Sequence, residues 1–320
     1  MYFRGSVLSF FLKIVHSIQD FHATKPTIVT IGTFDGVHLG HKKILDQIIA
    51  NAKQLDCESL VLTFFPHPRT VLQEGTQMKQ LNTLDEKIML LEQLGIDNLV
   101  VHPFDKEFSR LTAEAFVEKV LVDTFALKKI IIGHDHRFGR NRTANIDDLI
   151  AFGVTFGFEV EEISAEAINE VAISSTKIRT ALDEGAIELA NDYLGYPYAL
   201  TGIVAKGKQL GRTIGYPTAN IQIKEDYKLI PQNGVYVVKS ILNTTTVYGM
   251  MNIGTRPTVD GTTQTIEVHF FDFTQDLYNQ KISVSFLKRM RSEQKFESID
   301  VLKNQLAIDK ETALAFIKQL

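Results

Sequence analysis

Thr27-Ile-Val-Thr-Ile-Gly32-Thr-Phe34-Asp35-Gly36-Val-His38-Leu-Gly40-His41 runs from a β-branched segment through a glycine-rich turn into a helical pattern. The opening run, Thr27–Gly32, is short and apolar enough to be a strand buried on both faces, as in a parallel sheet. Beyond the turn, Ile44, Leu45, Ile48, Ile49, Ala52 and Leu55 recur at helical spacing, with Lys42, Lys43, Asp46, Gln47 and Lys53 on the opposite side. That spacing predicts an amphipathic crossover helix. Strand, glycine turn and helix start together place the turn at the carboxyl edge of a parallel sheet, where such sheets open their ligand crevice.

The same rhythm continues outward. Ser59–Phe64, Asn98–His102 and Lys129–Gly133 are further candidate strands, and Thr83 with Glu86 forms a capping box for a helix that stops at Gly95. The first half therefore reads as a doubly wound α/β sheet. After Gly185 the rhythm changes to Tyr198–Lys206, Gly234–Ile241, Thr246–Ile253, Thr265–Phe273 and Lys281–Leu287, strands separated by turn residues. These predict a closed antiparallel barrel, covered by helical segments in the last thirty residues. The 320 residues thus fall into two domains, 1–183 and 184–320.

Composition narrows the function classes. Apolar residues make up 44%, charged residues 22%, and 34 basic against 38 acidic side chains leave a net charge of −4, so no general basic field exists to hold a nucleic acid. Cys57 is the one cysteine, which excludes an internal disulfide and a thiolate metal cluster and makes the cytoplasm the expected compartment. The segment Val7–Val15 reads as a leader or first helix, and no apolar run approaches the ~20 residues of a membrane span.

Three glycines in the first turn bring backbone close to a ligand, and the N–H groups of the helix start favour an anion. The spacing matches neither a dinucleotide fingerprint nor a P-loop. His38 and His41 fall on one side of the first helical turn, where both imidazoles can donate to the same phosphate. A pair of surface histidines and a zinc site short of a third ligand are the competing readings. Ile132-Gly133-His-Asp135-His136-Arg137-Phe138-Gly139 and Ser174-Ser175-Thr176-Lys177-Ile178-Arg179 occupy further loop positions, the second with hydroxyls and cations at a helix start.

In the second half, Gly207-Lys208-Gln-Leu-Gly211-Arg212-Thr213-Ile-Gly215-Tyr-Pro217-Thr218-Ala-Asn220 combines glycines that can wrap phosphates with basic neutralisers and two hard oxygen donors suited to Mg²⁺. A hairpin with an exposed basic tip is the alternative. On Thr265–Phe273, Ile266, Val268 and Phe270 share one face, and Glu267, His269 and Phe271 the other. Glu267 is either a surface carboxylate or the base for a hydroxyl nucleophile.

GTFDGVHLGH, TFFPHP, GHDHRFG and SSTKIR resemble, in order and spacing, the adenylyltransferase module of prokaryotic bifunctional FAD synthetases, members of the HxGH nucleotidyltransferases. GRTIGYPTANI, NGVYVV, NIGTRPT and IEVHFFDF resemble the riboflavin kinase module of the same enzymes. The resemblance covers the chain from about Pro26 onward, and residues before about Lys13 have no counterpart. It implies that the barrel half phosphorylates riboflavin to FMN and that the first half adenylylates FMN to FAD, with ATP and Mg²⁺ at both sites. His38 and His41 would polarise the ATP phosphates, within an ATP and phosphate set of Gly32, Phe34, Asp35, Gly36, Gly40, Asp135, Ser175, Thr176 and Arg179. In the kinase half, Glu267 would be the general base and Thr218 and Asn220 would hold Mg²⁺. Gly207, Lys208, Gly211, Arg212, Thr213, Pro217 and Arg291 complete the ATP and flavin set, Arg291 in a loop closing on the flavin. His136 and Lys177 stand where the family usually has Phe and Arg. Small molecules are the expected partners, with no nucleic acid and no membrane.

Overall fold

The computed structural model describes residues 12–73, 78–133, 137–164, 173–207, 210–258 and 261–320. Two compact units divide between Ser174 and Ser175.

The first unit is built on a six-stranded parallel sheet. Its strands are β1 (Lys13–Val15), β2 (Thr27–Ile31), β3 (Glu58–Phe64), β4 (Asn98–His102), β5 (Leu127–Gly133) and β6 (Glu159–Ile163). They lie side by side in the order β1-β4-β3-β2-β5-β6. Alternate residues of the central strands feed two separate apolar layers: Val29, Leu60, Leu62, Val100, Ile130 and Ile132 on one side, Ile28, Val61, Leu99, Val101 and Ile131 on the other. Burial on both faces explains why these strands read as unbroken apolar runs.

The chain winds outward from β2 in one direction through β3 and β4, and in the other through β5 and β6. The switch point lies between β2 and β5, and the turn after β2 therefore opens at the crevice that doubly wound sheets provide there. Helix α1 (Leu39–Gln54) connects β2 to β3. After the short α2 (Pro68–Leu72), α3 (Leu84–Leu94) starts at the expected capping box: the Thr83 hydroxyl accepts from the Glu86 amide at 3.2 Å and the Glu86 carboxylate accepts from the Thr83 amide at 2.9 Å. It ends at Gly95, whose φ of +82° suits a residue without Cβ. The unit also holds α4 (Ala113–Phe116) and α5 (Ile146–Phe156).

Several expectations are corrected. Lys13–Val15, the end of the segment read as a leader or helix, is an edge strand paired in parallel with Asn98–Val100. β6 had no counterpart in the reading, because Glu159, Glu161 and Glu162 make it too polar to stand out as a buried run. The division between Ser174 and Ser175 lies close to the expected boundary near Asp183 and places the helix α6 (Ser175–Asp183) with the second unit. There it packs beside α7 (Ile187–Leu194), and the Leu182 carbonyl accepts from the Gln232 amide at 3.0 Å. Asn191 ties α7 to the barrel, donating to the Phe286 carbonyl at 2.9 Å and accepting from the Tyr198 amide at 2.7 Å.

The second unit is a closed antiparallel barrel of β7 (Ala199–Ala205), β8 (Ala219–Gln222), β9 (Gly234–Leu242), β10 (Thr245–Thr258), β11 (Gly261–Phe270) and β12 (Lys281–Arg291), in the order β10-β11-β8-β7-β12-β9. β8 has no counterpart among the expected strands, being four residues long and starting within the Pro217–Asn220 stretch that reads as the end of a glycine-rich loop. A single helical turn, α8 (Leu210–Thr213), precedes it, and the long α9 (Ile299–Ile317) closes the chain. Ile266, Val268 and Phe270 are buried as their alternation requires. Phe271, expected on the opposite, open face, is buried as well, because it joins Val237, Met250 and Ala313 in a second apolar layer that includes α9.

Candidate active sites

In the first unit, β2 delivers the chain into a turn where two residues with side chains, Phe34 (φ +45°) and Val37 (φ +36°), take left-handed backbone angles. Such conformations persist only when the surroundings over-determine them. Here the Thr33 carbonyl accepts from Lys87 Nζ at 2.7 Å and from the Thr63 hydroxyl at 3.3 Å. Asp35 is buried and turns its carboxylate inward, accepting from the amides of Leu81 at 2.8 Å and Asn82 at 3.4 Å. Phe34 is buried with its ring edge-on to His41, the centroids 5.2 Å apart.

The turn presents two histidines at the start of α1. His38 is the N-cap, and its Nδ1 accepts the His41 amide proton at 3.3 Å. A nitrogen that accepts carries no proton, so the neutral His38 ring holds its proton on Nε2. The two rings stack with centroids 3.6 Å apart at 17°. His41 keeps partial exposure, yet its Nδ1 is buried with no hydrogen-bond partner among the described residues. Burial holds its pKa well below the usual histidine range, with the charge of Lys87, and of His38 whenever that ring is protonated, acting in the same direction. Lys87, itself buried, has its pKa pushed down from 10.5 to about 8 by burial, against the pull of Asp35. The result is a pair of stacked neutral imidazoles over the positive end of a helix, an arrangement of donors suited to a polyanion.

Gly32, Phe34, Asp35, Gly36 and His38 thus belong to one turn, and Gly40 and His41 to the first turn of α1 that it leads into. Gly32 continues the ladder by donating to the Leu62 carbonyl at 3.0 Å. Ser175, Thr176 and Arg179 open α6, in the second unit, so the first site is described from β2, α1 and α3 alone. Asp135 and His136 lie outside the described residues. Lys87 was missed by sequence reading, although the signal was there: it sits between Leu84 and Leu91 at helical spacing, a cation on an apolar stripe.

In the barrel, β8 and β11 are neighbours, with Asn220 opposite Glu267. The Thr218 hydroxyl donates to Glu267 Oε2 at 3.2 Å. A hydroxyl, an amide and a carboxylate, separated by 47 to 49 positions in sequence, thereby form one cluster of hard oxygens. Gly207 closes over it: a Cβ there would collide with the Asn220 side chain, so this approach needs glycine. Gly211 and Arg212 belong to α8, Thr213 ends it, and Arg212, Thr213 and Pro217 are exposed. Lys208 lies outside the described residues.

Arg291 departs from expectation. It ends strand β12 instead of lying in a loop, and its guanidinium grips the buried Asp309 of α9, Nε to Oδ1 at 2.9 Å and Nη2 to Oδ2 at 2.7 Å. A forked pair of this geometry fixes α9 to the barrel end. Asp309, sequence-distant and on a helix, was not singled out.

Comparison with known proteins shows what such a pair of sites belongs to. The FAD synthetase family matches residues 20–177, and the riboflavin kinase family matches residues 194–317. The bifunctional riboflavin kinase/FMN adenylyltransferase of Haemophilus influenzae is 41% identical over 289 residues, spanning 90% of this chain and 93% of that protein. This chain belongs to the bifunctional riboflavin kinase/FMN adenylyltransferase family. The Escherichia coli K12 member is 38% identical over 308 residues, 95% of this chain and 98% of its own. A solved structure from Streptococcus pneumoniae, titled a macrolide-efflux protein, shares the family fold with a TM-score of 0.86 and 31% identity, covering 94% of this chain and 97% of that one. In this family member, no helix among the described residues is long and apolar enough to cross a membrane.

Proposed function

We propose that this chain makes FAD from riboflavin in two ATP-dependent steps, one in each unit. On the barrel, the ribityl 5′-hydroxyl of riboflavin attacks the γ-phosphorus of ATP, giving FMN and ADP. On the sheet, the phosphate of FMN attacks the α-phosphorus of ATP, giving FAD and pyrophosphate. The observation that carries this reading is the contrast between the sites. The barrel site offers a carboxylate, Glu267, held by the Thr218 hydroxyl at 3.2 Å; the sheet site offers the stacked His38 and His41.

A hydroxyl must lose a proton as it attacks, so the kinase needs a base, and Glu267 supplies it. The phosphate of FMN is already an anion, so adenylylation needs donors to the phosphates and the departing pyrophosphate. The neutral imidazoles and the N-terminus of α1 supply those. Asp35 holds the turn and Gly32, Gly36 and Gly40 keep it close to the nucleotide.

Thr218 and Asn220, the two oxygen donors beside Glu267, fit Mg²⁺, which favours few protein oxygens with the remainder from phosphate and water, and leave the Glu267 carboxylate to act as the base. Bound there, the ion would neutralise charge on the ATP phosphates. Gly207 and Arg212 would flank the same phosphates, while Arg291 contributes by holding α9.

The reading is tested by incubating the purified chain with riboflavin, ATP and Mg²⁺ and separating the flavins by chromatography. FMN followed by FAD is expected. FAD from added FMN without any FMN from riboflavin would reduce the chain to an adenylyltransferase, and the absence of both products would overturn the reading.

A further inference from the structure

Strands β8 and β11 share two register pairs, Glu267 opposite Asn220 and Val268 opposite Ala219. Extending that register sets His269 opposite Thr218 and Phe270 opposite Pro217. Proline has no N–H to give, so the ladder cannot continue through it. The segment carrying Thr218 thus leaves the sheet just where its hydroxyl meets Glu267.

A side chain replaces the lost rung. His269 Nδ1 lies 2.8 Å from the Pro217 carbonyl oxygen. A carbonyl only accepts, so Nδ1 carries the proton and Nε2 is bare in the neutral ring. Tyr216 and Phe271 hold the ring edge-on, with centroids 5.2 and 5.8 Å away. The Pro217 carbonyl shares its planar peptide unit with the Thr218 nitrogen, so the bond fixes the plane from which the Thr218 side chain departs. Glu267 and His269 project from the same face of β11, two residues apart. One takes the Thr218 hydroxyl and the other takes its peptide.

We propose that His269 is a positioning residue for riboflavin phosphorylation: by gripping the Pro217–Thr218 peptide it sets the Thr218 hydroxyl against Glu267. The proposal rests on the kinase reading of the barrel. A ring serving only as filler between Tyr216 and Phe271 would be replaced without loss by another ring, whereas the positioning role needs the donor.

His269→Phe keeps the ring and removes the donor; His269→Asn keeps a donor near the Nδ1 position and removes the ring. In the full chain with saturating riboflavin, ATP and Mg²⁺, the Phe variant is expected to lose about 10- to 10²-fold in kcat for FMN formation, as a small displacement of a reacting group does. KM for riboflavin should move much less, the Asn variant should recover most of the rate, and FAD formation from supplied FMN should be unchanged in both. Nitrogen-15 spectra of the histidine rings should show an Nδ1-protonated ring in the wild type that disappears in either variant. Wild-type kcat in the Phe variant, equal impairment of the two variants, or an Nε2-protonated His269 would overturn the positioning role. A wild-type chain that forms no FMN would overturn the kinase reading itself.

Discussion

The ammonium of Lys87 in α3 donates to the carbonyl of Thr33 at 2.7 Å across a buried interface, tying the helix to the turn that carries His38 and His41. With 3% of its surface exposed, this lysine makes no ion pair among the described residues, and a charge buried with a single neutral acceptor is costly. Its place is explained by the next residue of the turn, Phe34, whose left-handed backbone depends on outside restraint. Lys87→Met keeps the length and apolar stem while removing donor and charge. FAD formation from FMN should fall on the order of 10²-fold, the usual effect of a loosened catalytic turn. FMN formation on the barrel, an internal control in the same chain, should be unaffected; equal loss in both would point to general unfolding.

Lys87 also gives stability a pH signature. Its pKa falls from 10.5 to about 8 on folding, so between those values the folded chain has released a proton that the unfolded chain still holds. Stability contributed by this group therefore rises with pH across that interval and is lowest below pH 8, where the buried charge is present in full. Melting temperatures of wild type and Lys87→Met, measured from pH 7 to 10.5, should shift relative to each other in favour of the wild type as pH rises. A constant difference would show that Lys87 does not titrate in this window.

His38 and His41 should be separable by stability though not by catalysis. On the proposed function each imidazole donates to the ATP phosphates, and losing one such donor costs about 10²- to 10³-fold in rate. His38 is also the N-cap of α1, and loss of a cap costs about 1 kcal/mol. His38→Ala should therefore lower the melting temperature more than His41→Ala while both abolish most FAD formation. His38→Asn should recover the stability and not the rate.

The parts of this molecule legible in sequence are those decided locally. Strands buried on both faces show as apolar runs, and the Thr83/Glu86 box and Gly95 mark α3 within one residue. Arg291 and Asp309 are a different case: nothing local tells an arginine at a strand end that its partner lies 18 positions on, in a helix laid against the barrel. The same holds for α6. Ile178, Ala181 and Leu182 announce a buried face, but not which core covers it. Lys13–Val15 is three residues long, and its identity as a strand depends on the β4 edge that receives it. Lys87 and His269 were readable as anomalies of residue type, a cation on an apolar stripe and an imidazole beside a carboxylate, while their acceptors, the carbonyls of Thr33 and Pro217, are backbone atoms that no residue pattern reveals.

Glu267→Gln preserves shape and an oxygen acceptor for the Thr218 hydroxyl but removes the charge that takes up a proton. A positioned base commonly contributes roughly 10²- to 10⁴-fold, so FMN formation should drop by that order while FAD formation from FMN persists. Titrations of riboflavin and ATP into the variant should still show binding. Near-normal FMN production would return Glu267 to the rank of a structural carboxylate beside Thr218.

The division between the units makes a prediction about truncation that the sequence boundary at Asp183 would not. α6 lies on the barrel side, with Ile178 and Leu182 fully buried and the Leu182 carbonyl bonded to the Gln232 amide at 3.0 Å. Burial of one such aliphatic side chain stabilises by about 1.5 to 3 kcal/mol, so losing both removes a sizeable part of the roughly 5 to 15 kcal/mol that a domain has. A fragment from Ser175 to Leu320 keeps α6, α7 and the six barrel strands, and should unfold cooperatively and phosphorylate riboflavin. A fragment beginning at Glu184 retains Asn191 and its two bonds to the barrel end but leaves the Gln232 amide without its acceptor and uncovers the apolar surface beneath α6. It should melt at a clearly lower temperature or aggregate. Thermal denaturation of the two fragments side by side decides the matter: equal melting temperatures would mean that α6 adds nothing to the barrel and that the functional boundary lies at Asp183 after all.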